Sequence, residues 1–141
     1  MSKHETPETL AFTNGKLVLI DQTRLPQELV TLTCNTVDET HDAIQRLVVR
    51  GAPAIGIAAA YGVCLAAAPS QATRQDFLDA ADRLATSRPT AVNLFWALDR
   101  MKAIIEATAD DSTLHQKLIQ EAIKIHDEDR EMFLHISRSS S

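Results

Sequence analysis

Between Ala52 and Ala68 the chain reads APAIGIAAAYGVCLAAA, a run with no charged side chain and no polar face in any helical projection. A helix that is apolar all round must be enclosed by other elements, so this segment predicts a central helix with the rest of the fold packed about it. It is rich in alanine and glycine and shorter than the roughly 20 strongly apolar residues that cross a bilayer. A soluble, single-core protein is therefore expected. Pro53 suits a first helical turn, where its missing N–H has no partner to lose. Gly56 and Gly62 each cost about 1 kcal/mol relative to alanine inside a helix, which predicts that other parts of the chain approach the backbone closely there.

The flanking segments have the amphipathic patterns that could enclose such a helix. Thr36 followed by Glu39 is a capping-box pair, and Ala43, Ile44, Leu47 and Val48 then share one face, which predicts a helix ending at Val49 or Arg50 before Gly51. Thr73 with Asp76 opens a third helix burying Phe77, Leu78, Ala81, Leu84 and Ala85. Leu94, Leu98, Met101 and Ile105 mark a fourth, and Ser112 caps a fifth carrying Leu114, Leu118, Ala122 and Ile125. Upstream, residues 1–14 read as polar and turn-rich. Asn14-Gly15 is a hairpin dipeptide preceding a strand over Lys16 to Ile20, and Glu28 to Thr33 alternates as a second strand. The expectation is an α+β fold, a small antiparallel sheet followed by a bundle of about five helices, with no internal repeat.

The chain has 14 basic and 19 acidic residues, a net charge of −5, and no basic block. That balance argues against a nucleic-acid partner, which needs a clustered positive face. The amino terminus shows neither a signal nor a transit pattern, so no membrane partner and a cytoplasmic location are expected. Cys34 and Cys64 sit in no metal-binding or redox motif and read as reduced core thiols. His126, Asp127, Glu128 and Asp129 invite a metal-site reading, but consecutive helical residues diverge, so a solvated face is expected. His41 and His115 stand alone. Trp96 and Tyr61 are expected in the core or at a domain interface, with a place in a ligand pocket as the other reading.

Two loops share a physical design. Arg50-Gly51-Ala52-Pro53 and Arg88-Pro89-Thr90 each set an arginine just before a proline-started helix. Free N–H groups and the positive end of a helix dipole attract anions, and an adjacent guanidinium adds charge-assisted bonds to phosphate oxygens. Gly51 and Ala52 leave room for a ligand to reach the backbone. Together the loops could clamp a phosphate. Punctuation of helix starts and a solvated arginine remain the plainer explanation of each loop taken alone.

The run from Val48 through Arg50-Gly51-Ala52-Pro53 to Gly62 resembles a signature of the methylthioribose-1-phosphate isomerases. Further matches are Ser87-Arg88-Pro89-Thr90-Ala91-Val92-Asn93-Leu94 with Trp96-Ala97 and Arg100-Met101, Ile20-Asp21-Gln22-Thr23-Arg24-Leu25-Pro26, and Glu128-Asp129-Arg130-Glu131-Met132. The resemblance implies an aldose–ketose isomerase of methionine salvage that converts methylthioribose 1-phosphate to methylthioribulose 1-phosphate. The anomeric phosphate blocks simple aldehyde formation, so ring opening needs acid assistance before hydrogen moves between C1 and C2. It implies Arg50, Gly51, Ala52 and Arg88 as substrate contacts, a small-molecule sugar phosphate as partner, no cofactor or metal, and a homodimer for the whole protein.

The family's catalytic cysteine and acid aspartate belong to motifs of a later Rossmann-like domain that do not occur here. Cys34, Cys64, Asp21 and Asp99 are not candidates for those roles, so no catalytic residue is assigned and the chain alone is expected to be inactive. Residues 1–132 are read as the amino-terminal domain. Residues 133–141 form a divergent tail, such as a frame change, a splice end or an artificial boundary would produce. The fold is also shared with regulatory subunits of the exchange factor for translation initiation factor 2, in which both arginine loops would not be expected intact. A ribose-1,5-bisphosphate isomerase is the nearer alternative.

Overall fold

A computed structural model describes residues 10–13, 15–21, 27, 30–46, 52–67 and 73–139, without the side chains of 52, 67 and 130–139. Three strands, β1 (Leu10–Thr13), β2 (Lys16–Ile20) and β3 (Thr31–Cys34), form an antiparallel sheet in the order β1-β2-β3. Leu10 pairs with Leu19, Phe12 with Leu17, Leu17 with Cys34, and Leu19 with Leu32. Because side chains alternate between faces, this register puts Leu10, Phe12, Leu17, Leu19, Leu32 and Cys34 on one side. The threonines of β3 and Lys16 lie on the other, exposed side.

Two expectations for this region need correction. Residues 10–13 form a strand rather than part of a polar lead-in, because Leu10 and Phe12 alternate with Ala11 and Thr13 and close a hairpin through Gly15. That glycine has φ +74°, a conformation that disfavours any side chain. The last strand runs from Thr31 to Cys34, later than expected, so that Cys34 completes the apolar face.

Five helices follow: α1 (Val37–Gln45), α2 (Ala52–Cys64, continued by a 3-10 turn at Leu65–Ala67), α3 (Arg74–Ala85), α4 (Val92–Ala107) and α5 (Asp111–Ser139). At the start of α1 the Thr36 hydroxyl accepts from Glu39 N–H at 3.1 Å, while the Glu39 carboxylate accepts from Asn35 N–H, one residue upstream of a standard capping box. α1 ends at Gln45 rather than Val49 or Arg50. The Arg46 N–H closes it onto the carbonyls of Asp42 and Ile44, and Leu47 and Val48 lie outside the described residues. Thr73 and Asp76 form the complete box of α3. α5 is capped by Asp110 rather than Ser112: its carboxylate accepts from the N–H and hydroxyl of Ser112 at 3.0 and 2.7 Å. Asp110 provides an oxygen one residue before the helix, the position from which a side chain reaches the first free N–H groups.

The apolar segment is central, as its pattern requires. Ile55 and every residue from Ile57 to Ala60 are buried, as are Tyr61 and Val63 to Leu65. Its two glycines are the places where neighbours come closest. A β-carbon on Gly56 would lie 2.8 Å from the Asn93 carbonyl oxygen at the start of α4. One on Gly62 would lie 2.8 Å from the Thr40 methyl of α1 and 3.0 Å from Leu84 of α3. The sheet packs its apolar face on the same helix, with the Phe12 ring stacked on Tyr61 at 4.9 Å. No helix among the described residues is long and apolar enough to cross a membrane.

Polar side chains at and around the core are tied down. His41 Nε2 stands 3.0 Å from the Thr86 hydroxyl, whose proton goes to the Arg83 carbonyl, so the imidazole is the donor. His115 Nε2 donates to the Cys64 carbonyl at 3.1 Å, and His126 Nδ1 meets the Tyr61 hydroxyl at 2.8 Å. Arg74 reaches from the start of α3 to the carbonyls of Ile105 and Thr108 and to the Asp111 carboxylate. One guanidinium thus satisfies the end of α4 and ties it to the start of α5.

Candidate functional site

The five helix starts are not treated alike. α1, α3 and α5 each carry an acid in the first turn, Asp38 and Glu39, Asp76, and Asp111. Each also has an oxygen-bearing side chain as its cap. α2 and α4 have no acid in the first turn, and α4 starts at Val92 rather than at Pro89, behind Ala91, whose methyl makes no capping bond. Neither positive dipole end is offset by a carboxylate of its own first turn. These are the two helices that follow the arginine loops, and they begin side by side. Gly56 backs onto the Asn93 carbonyl, and Pro53 and Asn93 border one cleft of about 220 Å³.

The arginines show the same contrast. Among those whose side chains are described, Arg46 pairs with Asp42, Arg74 with Asp111, Arg83 with Asp38, and Arg100 with Glu121 and Glu128. Arg88 is half-buried and has no hydrogen-bond or ion-pair partner among the described residues. It sits in the turn before α4, where its carbonyl accepts from Ala91 N–H at 3.0 Å. Arg50 and Gly51 lie outside the described residues, and Ala52 is described only as the first residue of α2.

The cleft is walled further by Ile57 of α2, Trp96 of α4, and Ile125, Glu128 and Asp129 of α5. A single cation organises that wall. Arg100 donates to Glu121 at 2.6 and 2.9 Å and to both oxygens of Glu128 at 2.7 and 3.1 Å, and its guanidinium lies 5.0 Å from the centre of the Trp96 ring. The planar fork suits paired carboxylates and a stacked indole at once. Hydrogen bonds from Arg100 hold the Glu128 carboxyl below its ordinary value, against a smaller opposing effect of burial. The same bonds, with those to Glu121, hold Arg100 in its charged form.

A pH effect follows from that direction. A depressed carboxyl stabilises the fold above its unfolded value and loses that contribution as pH falls through the folded value. Glu128 is half-exposed, so its contribution is expected to stay below about 1 kcal/mol. Urea midpoints measured at pH 7 and pH 3 are expected to fall further in the native chain than in Arg100→Met. Equal slopes would show that the network contributes nothing.

The metal-like run separates in space. His126 turns inward to Tyr61, Glu128 goes to Arg100, and Asp129 reaches the cleft. The solvated-face reading therefore misses two cleft residues. Among the described residues, no group of three metal-binding side chains is close enough to hold an ion. Tyr61 is a core aromatic, whereas Trp96 is half-exposed and lines the cleft. Asn93, Trp96 and Glu128 all occur in motif stretches; Asn93 and Trp96 lie three and six residues past the Arg88-Pro89-Thr90 loop, and Glu128 comes from α5. Burial raises the Cys34 thiol to about 11 and raises Cys64 further, so both stay protonated at neutral pH.

A sequence profile described as the initiation factor 2 subunit family matches residues 48–140, a span that holds α2, both cleft-forming helix starts and α5. The chain belongs to this family. Within the family, it is 53% identical to a methylthioribose-1-phosphate isomerase of Rhodopirellula baltica, over 94% of this chain and 40% of that protein. It is 46% identical to a 5-deoxyribose 1-phosphate isomerase of Moorella thermoacetica, over 92% of this chain and 39% of that one. The fold also matches the crystal structure of the translation initiation factor eIF-2B, subunit delta, from A. fulgidus. That match has a TM-score of 0.82 and 39% identity, covering 89% of this chain and 38% of the other. The chain thus spans about 40% of the length of the curated relatives it matches.

Proposed function

We propose that this chain is the substrate-binding portion of a cytoplasmic aldose–ketose isomerase acting on a ribose 1-phosphate with a modified fifth carbon, methylthioribose 1-phosphate in methionine salvage. The observation that carries this reading is Arg88, a half-buried arginine with no partner among the described residues, four residues ahead of the uncapped start of α4, whose Asn93 borders the cleft. The phosphate is held by Arg88 and the first-turn N–H groups of α4, with Arg50, Gly51 and Ala52 completing the clamp from the start of α2. The sugar ring then lies across Asn93 and Trp96.

The acid–base groups that open the ring and move hydrogen between C1 and C2 are assigned to the part of the relatives' length that this chain does not span. The state of its own thiols supports that division, since protonated, buried sulfurs cannot take the role. Residues 1–132 act as one binding domain, with 133–141 as its tail, and the complete protein is a homodimer. The likeness to a translation-factor subunit supports a second reading, a binding domain without sugar-phosphate affinity.

Isothermal titration of the 141-residue chain with methylthioribose 1-phosphate and with 5-deoxyribose 1-phosphate separates the two. Saturable binding with a Kd of about 1 mM or tighter is expected, corresponding to about 4 kcal/mol, without turnover. Absence of binding to both sugars would favour the second reading, and turnover by the chain alone would overturn the assignment of the chemistry elsewhere.

A further inference from the structure

Arg100 is not among the residues that line the cleft, yet it touches two that are, Trp96 on its own helix and Glu128 on α5. Trp96 precedes it by four residues on α4, so the two side chains share one helical face, and the guanidinium lies 5.0 Å from the centre of the indole. That guanidinium cannot turn freely. Its Nε and Nη2 donate to Glu121, and its Nη1 and Nη2 donate to the two oxygens of Glu128, seven residues further along α5. A planar fork tied at both edges has a fixed orientation, and so does an aromatic face resting on it. Trp96 is half-exposed, and its ring makes no other aromatic or cationic contact among the described residues. Lys124, one turn before Glu128 on α5, also attracts that carboxylate, but it is exposed and acts more weakly than Arg100. Glu128 thus has a second cation at hand, and loss of Arg100 would fall mainly on Glu121 and on the indole.

Resting on the reading above in which the sugar lies across Asn93 and Trp96, we propose that Arg100 is a positioning residue of the site: tied to α5 by two carboxylates, it holds the Trp96 ring in the orientation against which the sugar packs. Arg100 acts without touching the ligand. It removes rotational freedom that a half-exposed indole would otherwise lose on binding, so affinity is gained by preorganisation.

Trp96 is the chain's only tryptophan, so its fluorescence reads this ring alone. In Arg100→Met the anisotropy of that emission is expected to fall, because an exposed side chain released from its neighbour changes rotamer within ps–ns. The Kd for methylthioribose 1-phosphate, read by calorimetry on the 141-residue chain, is expected to rise about fivefold, the cost of immobilising one side chain on binding. In a Trp96→Ala background the same substitution should move Kd by less than about twofold, since the two residues act as one unit. Arg74→Ala frees the other end of α4 and should lower the melting temperature with Kd unchanged, which separates positioning from general loosening. Glu121 has a side chain 14% exposed and loses its partner in Arg100→Met, so Arg100→Lys is the companion variant. It keeps a charge for Glu121 but offers no flat face to the ring, and a fall in anisotropy with a Kd rise of about threefold or more is expected. Unchanged anisotropy or unchanged Kd in both Arg100 variants, or an equal loss of affinity with and without the indole, would overturn the positioning role while sugar-phosphate binding stands. Absence of binding by the native chain would remove the site and this role with it.

Discussion

Gly56→Ala is expected to destabilise the chain by about 2 kcal/mol, although alanine is the better helix former by about 1 kcal/mol. The added β-carbon would sit 2.8 Å from the Asn93 carbonyl oxygen and 3.4 Å from the Ala97 methyl. The nearer of these is backbone inside another helix, which cannot rotate aside, so α2 and α4 must separate along their most extensive contact. Gly56→Val adds bulk and a stiff χ1 and is expected to cost roughly 4 kcal/mol. Gly62→Ala meets side-chain atoms of Thr40 and Leu84 instead, and a leucine methyl can swing away. Urea midpoints give the order directly. With slopes of about 2 kcal/mol per molar for a domain of this size, the Gly56→Ala midpoint should fall by about 1 M. A smaller loss at Gly56 than at Gly62 would mean that the two helix starts are not in rigid contact.

Arg88→Ala is expected to weaken sugar-phosphate binding about 30-fold or more and to leave stability within about 0.5 kcal/mol of the native chain. Charge-assisted bonds to a phosphate contribute about 1.5–3 kcal/mol, which sets the size of the loss. The neutral effect on folding follows from the absence of any carboxylate or carbonyl partner for this side chain among the described residues. Arg74→Ala is the opposite case, since Arg74 holds the end of α4 and the start of α5. Calorimetric titration beside a melting curve separates the two quantities. A variant of Arg88 that melts early while binding normally would reverse its assignment from ligand contact to structural brace.

Much of the fold was legible because the core pattern admits one arrangement. A helix apolar on all sides must be central, and the faces of Ala43 and Ile44, Phe77 and Leu84, and Leu94 and Leu98 can only turn toward it. The misread elements are those whose signal was short. The first strand is four residues long and its alternation of Leu10 and Phe12 was lost in a polar lead-in, and the cap of α5 was sought at a serine when an aspartate stood two residues before it. The candidate site was half legible. An arginine ahead of a helix is visible in sequence, whereas the uncapped start at Val92, three residues after Pro89, is not. The α5 side of the cleft was not, because Glu128 and Asp129 come from a helix that folds back against α2 and α4, and no local pattern reports that return. Their place beside Trp96 depends on Arg100 reaching across between α4 and α5, a tertiary fact.

The bundle also sorts its helix ends. The carbonyl ends of α2 and α4 gather near the first turns of α5, where His115 takes the Cys64 carbonyl and Arg74 takes those of Ile105 and Thr108. The amide ends of the same two helices open together into the cleft. One pole of the molecule is cross-braced and the other is left chemically unsaturated, so amide protons near residue 105 should exchange with solvent far more slowly than those near residue 92. Changes that toughen the braced pole can then be made without touching the pole proposed to receive a ligand, and the two properties can be tuned independently.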